Sequence, residues 1–245
     1  MTTAPSVTAS AIETSPASAR VAGIGGLVFV ASVIAQNLIR AESLPANDAS
    51  PGTIIRLYSS HWWTTQALFV LFVVGAFGLV AFSGVMIDRL REPGARWLSL
   101  AGGLGIAMVA ALFPMTLALD TALAVYIHRG NPATSVVEAL WIVHNSIFGV
   151  LQLAIGIALA GLSIAARHNG LMGVGWQRAG VVGALGLAVG TAATPAVLDG
   201  NPLMAAGLVG FVLWLAFVTR ASVALMRTES QSRNADASAA MASRS

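Results

Sequence analysis

The 245-residue chain has no cysteine and no lysine, and only 9% of its residues are charged. The missing cysteine excludes disulfides, cysteine-ligated zinc, iron–sulfur clusters and c-type haem attachment. The scarcity of charge excludes an ordinary soluble surface, since soluble domains carry about 25% charged residues. All 13 basic residues are arginine, a bias that suits a GC-rich genome. The net charge is only +3, and the arginines stand singly between apolar runs. No basic stretch with interleaved aromatics exists, so a nucleic-acid partner is not expected. HExxH, GxSxG and Glu-x-x-His patterns are also missing.

What fills the chain instead is hydrophobic residue, 56% of the total. Six apolar runs, 21–39, 62–87, 97–119, 141–166, 179–198 and 203–226, are each long enough as helices to cross a hydrocarbon core of about 30 Å. With no water to satisfy backbone groups in lipid, these segments must be helical. The expected fold is an all-α, polytopic membrane bundle of six transmembrane helices over residues 20–227. Polar tails at 1–19 and 228–245 are expected to be disordered and cytoplasmic. The 19 residues of the first run exceed a signal-peptide core, so it is expected to stay.

Arginine placement sets the orientation. With a cytoplasmic N-terminus, Arg20, Arg89, Arg91, Arg96, Arg167, Arg178, Arg220, Arg227, Arg233 and Arg244 lie inside, and only Arg40, Arg56 and Arg129 lie outside. This positive-inside bias predicts a multi-pass protein with both termini cytoplasmic; the expected location is a bacterial plasma (inner) membrane. A shift of 79 positions superposes Trp62 on Trp141, Phe69 on Phe148, Trp97 on Trp176 and Asp120 on Asp199. That is a weak internal duplication of helices 2–3 and 4–5.

Asp120 stands 23 positions after Trp97, Asp199 stands 23 after Trp176, and His144 stands 23 before Arg167. At the helical rise, all three fall at the outer edge of the hydrocarbon. The simplest expectation for both aspartates is a helix-end carboxylate wetted by the headgroup region. Asp199 in "LDGNP" also has turn chemistry around it. Asn37, near Gln36, and Gln66, near Thr64 and Thr65, reach the same level. On the fourth run, His144 or Asn145, with Phe148 and Gln152, recur at spacings of three and four and share one face. The ligand-binding candidates are therefore Asp120, His144, Asn145, Gln152, Gln66 and Asn37, forming a shallow polar pocket that opens outward.

The leading expectation is non-enzymatic: binding or an accessory role at that pocket, with membrane lipids and a small molecule or membrane protein as partners. A small secondary transporter is the first alternative. An intramembrane enzyme, or a metal or haem protein using His144 and Asp120, is the second. His61 and His144 are the only, and weak, metal-ligand candidates, and no cofactor is expected. Gly183, Gly186 and Gly190 form a small-residue stripe expected to pack within the bundle rather than against a second copy.

The motifs "SSHWWTT", "IDRLREPGARW" and "LALD" give the chain a familiar layout. It resembles the uncharacterised six-helix integral membrane proteins of actinobacteria, of the domain-of-unknown-function type, over residues 20–227. The resemblance implies a six-helix fold and carries over no catalytic residue.

Overall fold

The computed structural model describes residues 16–242, with side chains over 18–227 apart from Met204. Its helices are α1 (Pro16–Ser43), α2 (Pro51–Ser60), α3 (Trp62–Arg89), α4 (Arg96–His128), α5 (Thr134–His168), α6 (Val174–Ala192), α7 (Thr194–Leu198) and α8 (Met204–Ala242). No strand occurs among the described residues. The protein is an all-α bundle of membrane type. Five stretches are long and apolar enough to cross a membrane: Ser18–Ser43, Trp62–Arg89, Arg96–His128, Thr134–His168 and Ala205–Arg227.

The sequence reading differs from this in several places. The fifth expected span is broken. α6 has 19 residues and includes Gln177 and Arg178 near its start, and it is not among the five. It stops at Ala193, and α7 restarts with Pro195 in its first turn. Proline cannot donate to the Thr191 carbonyl, and its ring crowds that turn, so the helix gives way there. α4 does not end at Leu119 but runs through Asp120 to His128. α1 begins at Pro16 and α8 continues to Ala242, so helix enters both expected tails. Residues 1–15 and 243–245 lie outside the described residues.

α2 is an element that the apolar runs do not reveal. Ser50 accepts from the Thr53 backbone N–H at 3.4 Å, and Pro51 opens the helix, a favourable first position because its missing N–H is unpaired there anyway. Ile54 and Tyr58, four apart, are the buried side of this short helix.

The long helices close a circuit in the order α1, α3, α4, α5, α6, α8 and back to α1, thinnest between α3 and α4. Glycines allow the close approaches. A methyl on Gly25 would lie 2.8 Å from the Gly78 carbonyl oxygen, and one on Gly161 would lie 2.7 Å from that of Leu98. The α6 stripe packs inside the bundle, where a methyl on Gly186 would lie 2.7 Å from the Ala206 oxygen of α8. Without a hydrophobic drive between helices in lipid, this backbone proximity supplies the dispersion contact. Large apolar side chains such as Phe77, Val80, Leu104, Leu185 and Val209 point outward, as a lipid-covered surface requires.

The core has two parts. Phe82, Met86, Leu159, Leu162, Trp214 and Phe217 belong to the main one. A smaller cluster of Ile54, Tyr58, Leu123, Ile127, Val137 and Trp141 joins α2 to α4 and α5 and forms a cap at one end of the bundle.

Candidate functional site

Beneath that cap lies Asp120, two turns before the end of α4 and fully buried. It is not the wetted helix-end group expected from the sequence. The helix continues past it, and α2 covers it. A carboxylate so placed requires partners, because an unpaired buried charge is prohibitively costly. Three elements supply them. Arg40, in the last turn of α1, pairs with Oδ2. Tyr58 of α2 donates to Oδ1 at 2.6 Å. His144 of α5 brings Nε2 to 3.3 Å from the same Oδ1.

The sequence reading missed Arg40 and Tyr58 as partners. It placed Arg40 among outer-side charges and Tyr58 in an interfacial belt. Arg40 is 24% exposed in its side chain, so its guanidinium joins the buried carboxylate to the surface. The Tyr58 phenol is held well above its ordinary pKa, first by burial and then by the negative charge of Asp120. It therefore remains a donor at neutral pH.

His144 is fixed from its other side by Trp141, one turn earlier on α5. The two rings are stacked, with centroids 4.9 Å apart and planes 3° from parallel. Trp141 also meets Tyr58 edge-to-face at 6.5 Å. Its Nε1 donates to the Asn47 carbonyl at 3.1 Å, tying the segment between α1 and α2 to α5. Neither nitrogen of His144 has hydrogen-bond geometry to a partner, although both are buried.

One to two turns further along α5, a cavity of about 20 Å³ is lined by Asn47, Asn145, Phe148, Gly149, Gln152, Gly190, Thr194, Val197 and Leu198. It has room for roughly one water-sized guest. Asn145 donates its amide to the Trp141 carbonyl at 3.0 Å. The Gln152 oxygen Oε1 is buried without a donor.

The structure thus brings Asp120 and His144 together and places Asn145 and Gln152 at the adjoining cavity. Asn37 and Gln66 are not brought in. Asn37 is exposed and donates to the Val33 carbonyl on its own helix at 2.8 Å, and Gln66 is exposed on α3. Their neighbours Gln36 and Thr65 are the inward, buried residues. Adjacent residues on a helix differ by about 100° in direction. The α1 face is set by Gly25, Phe29 and Ser32 against α3, which turns Gln36 inward. That spacing was the available signal.

His61 sits half-buried at the α2–α3 junction, with Nδ1 2.9 Å from Ser60 Oγ and 3.1 Å from the Leu57 carbonyl oxygen. Among the described residues, no group of three or more His, Cys, Asp or Glu is placed to hold a metal ion. Asp199 is exposed after α7, unlike Asp120, its match in the 79-residue shift. No protein family matches the chain, and no curated protein or solved structure matches it significantly.

Proposed function

We propose that this membrane protein has a binding or accessory role, not a catalytic one, served by the polar end under the α2 cap. The observation that carries this reading is the engagement of the Asp120 carboxylate by its own protein partners. Asp120 is fully buried, is engaged through both oxygens by Arg40 and Tyr58, and faces His144. Such a carboxylate acts as a structural keystone and leaves the neighbouring amides of Asn145 and Gln152 for recognition. The capped end faces outward in this reading, with α6 and α7 together as a sixth crossing and α3–α4 and α5–α6 as related hairpins. The arginine bias supports cytoplasmic termini, and in this reading the membrane is a bacterial plasma membrane.

A small secondary transporter is the second reading. The break at Ala193 favours it, because discontinuous helices recur at transport sites.

The test is complementation of a deletion strain by the double variant Asn145→Leu/Gln152→Leu, with equal membrane insertion verified. The binding reading expects failure to complement. Full complementation overturns it. Solute uptake by wild-type proteoliposomes that is lost in the same variant would favour the transporter.

A further inference from the structure

We propose that α2 is a lid over Asp120, hinged at His61, which opens while the long helices stay folded and admits water to Asp120 and His144. The lid follows from packing and hydrogen bonding and does not depend on the polar end binding a ligand.

Little holds α2 down. Only Ile54 and Tyr58 of its ten residues are buried, whereas the buried side of α4 beneath it runs from Leu98 to Ile127. Elements that bury little open at lower cost than the fold as a whole. Tyr58 donates to Asp120 at 2.6 Å, and Trp141 donates to the Asn47 carbonyl at 3.1 Å in the segment before α2. These bonds fasten the lid. The side-chain hydrogen bonds of Ser50, Ser59, Ser60 and His61 stay within residues 50–61 and travel with the helix.

The pivot lies at the far end of α2. His61, with φ −119° and ψ 41°, alone separates α2 from α3. Just beyond it, Trp62 stacks on His128, the last residue of α4, with ring centroids 4.7 Å apart. The start of α3 is thereby held to α4 while α2 is free to turn. On the other side, the non-helical residues 44–50 join α2 to α1.

The open state is supported in three ways. Arg40 belongs to α1 and not to the lid, so Asp120 keeps its opposite charge when Tyr58 leaves. His144 has both ring nitrogens buried without a hydrogen-bond partner, a cost that entering water removes. The apolar side of α2 is a single stripe, Ile54 and Tyr58. Turned outward, that stripe can rest in the headgroup region, as amphipathic helices do, instead of meeting water.

The test uses single thiols in a chain that has none. Ala124 is buried on α4 in the cluster with Ile54 and Tyr58, and Ala166 is buried in the main core near the opposite end of α5. Ala124→Cys and Ala166→Cys, each in the purified full-length protein in nanodiscs, are exposed to a small methanethiosulfonate reagent. The thiol at position 124 should react at least about tenfold faster, because it needs only local opening. Adding Tyr58→Phe should speed that reaction at least about tenfold more, the effect of losing a hydrogen bond to a charged acceptor. If Ala124→Cys does not fold, hydrogen exchange of the unsubstituted protein decides: amides of residues 55–60 should exchange at least about tenfold faster than those of residues 117–124.

Equal reactivity of the two thiols, or equal exchange of the two segments, overturns the lid, since α2 would then open only with the bundle. So does a reaction at position 124 that Tyr58→Phe leaves unchanged. Either failure leaves the complementation result, and with it the binding reading, untouched.

Discussion

Tyr58 Oη and Asp120 Oδ1 are 2.6 Å apart across 62 positions of sequence. The bond fastens α2, which is too short to cross a membrane, to the end of α4. Arg40 fastens the end of α1 to the same carboxylate. One buried charge thus organises the capped end, and the chemistry of the cap can be tested by removing its partners one at a time.

Arg40 and Asp120 should not be equivalent under substitution. Arg40→Met strands a fully buried carboxylate, and breaking a buried pair in this way costs about 3–5 kcal/mol. Asp120→Leu strands an arginine that already reaches the surface and can turn outward. Its main residue of damage is the buried Tyr58 hydroxyl, left unpaired at about 1–3 kcal/mol. Unfolding of the two variants, followed by circular dichroism, should rank Arg40→Met as the less stable. The opposite ranking would mean that Arg40 does not neutralise Asp120 in the folded protein.

Tyr58→Phe removes a hydrogen bond to a charged acceptor, worth about 1.5–3 kcal/mol. A second signature comes from alkaline titration. The folded phenol's pKa is raised, by burial first and by Asp120 next. Its stabilising contribution is therefore complete below the ordinary tyrosine pKa of about 10 and is lost as pH rises from there through the folded value. In a Tyr126→Phe background, which leaves Tyr58 as the only tyrosine, tyrosinate absorbance should stay absent at about pH 10 until the protein unfolds. Tyrosinate appearing near that pH in the folded protein would contradict the burial of Tyr58 against Asp120.

Much of this end could be read from sequence, and the remainder has physical reasons for escaping. Counting helical rise from Trp97 and Arg167 puts Asp120 and His144 at one height, and the structure has them 3.3 Å apart. Their partners escaped because an arginine and a tyrosine at a membrane edge satisfy the topology rules without any inward contact. By sequence Asp120 reads as a helix boundary, because an unpaired acid does not belong in lipid. Pairing with Arg40 removes that objection, and α4 continues to His128. α2 was hidden because hydropathy windows suited to spans average out a ten-residue amphipathic helix. Ser50–Pro51, followed by Ile54 and Tyr58 at four-residue spacing, was the signal that could have shown it.

Gln152 and Gly207 should be energetically coupled. The three atoms nearest to a methyl added at Gly207 all belong to the Gln152 amide, with Cδ at 3.2 Å. Gly207→Ala alone therefore displaces the amide, and overpacking of this kind costs about 1–3 kcal/mol. In the Gln152→Ala background the same methyl enters vacated space. The double variant should be more stable than the sum of the single effects by more than about 0.5 kcal/mol, the size expected of contacting residues. Strict additivity in the unfolding free energies would show that the amide does not occupy the space beside Gly207.

The crossing of α6 and α7 can be decided by labelling, since a chain without cysteine needs no background removal. Gly173 precedes α6, is exposed and has open space for a side chain, and Asn201 is exposed just after α7. Gly173→Cys and Asn201→Cys should react with an impermeant maleimide from opposite sides of the membrane in intact cells and inverted vesicles. Gly94→Cys, in the α3–α4 turn, should label with Gly173→Cys, and Ser135→Cys, at the start of α5, with Asn201→Cys. Under the arginine bias, the first pair is cytoplasmic. If Gly173→Cys and Asn201→Cys label from one side, the α6–α7 segment enters and leaves by the same face. The two termini would then lie on opposite sides, and the break at Ala193 would be the turning point of a re-entrant hairpin.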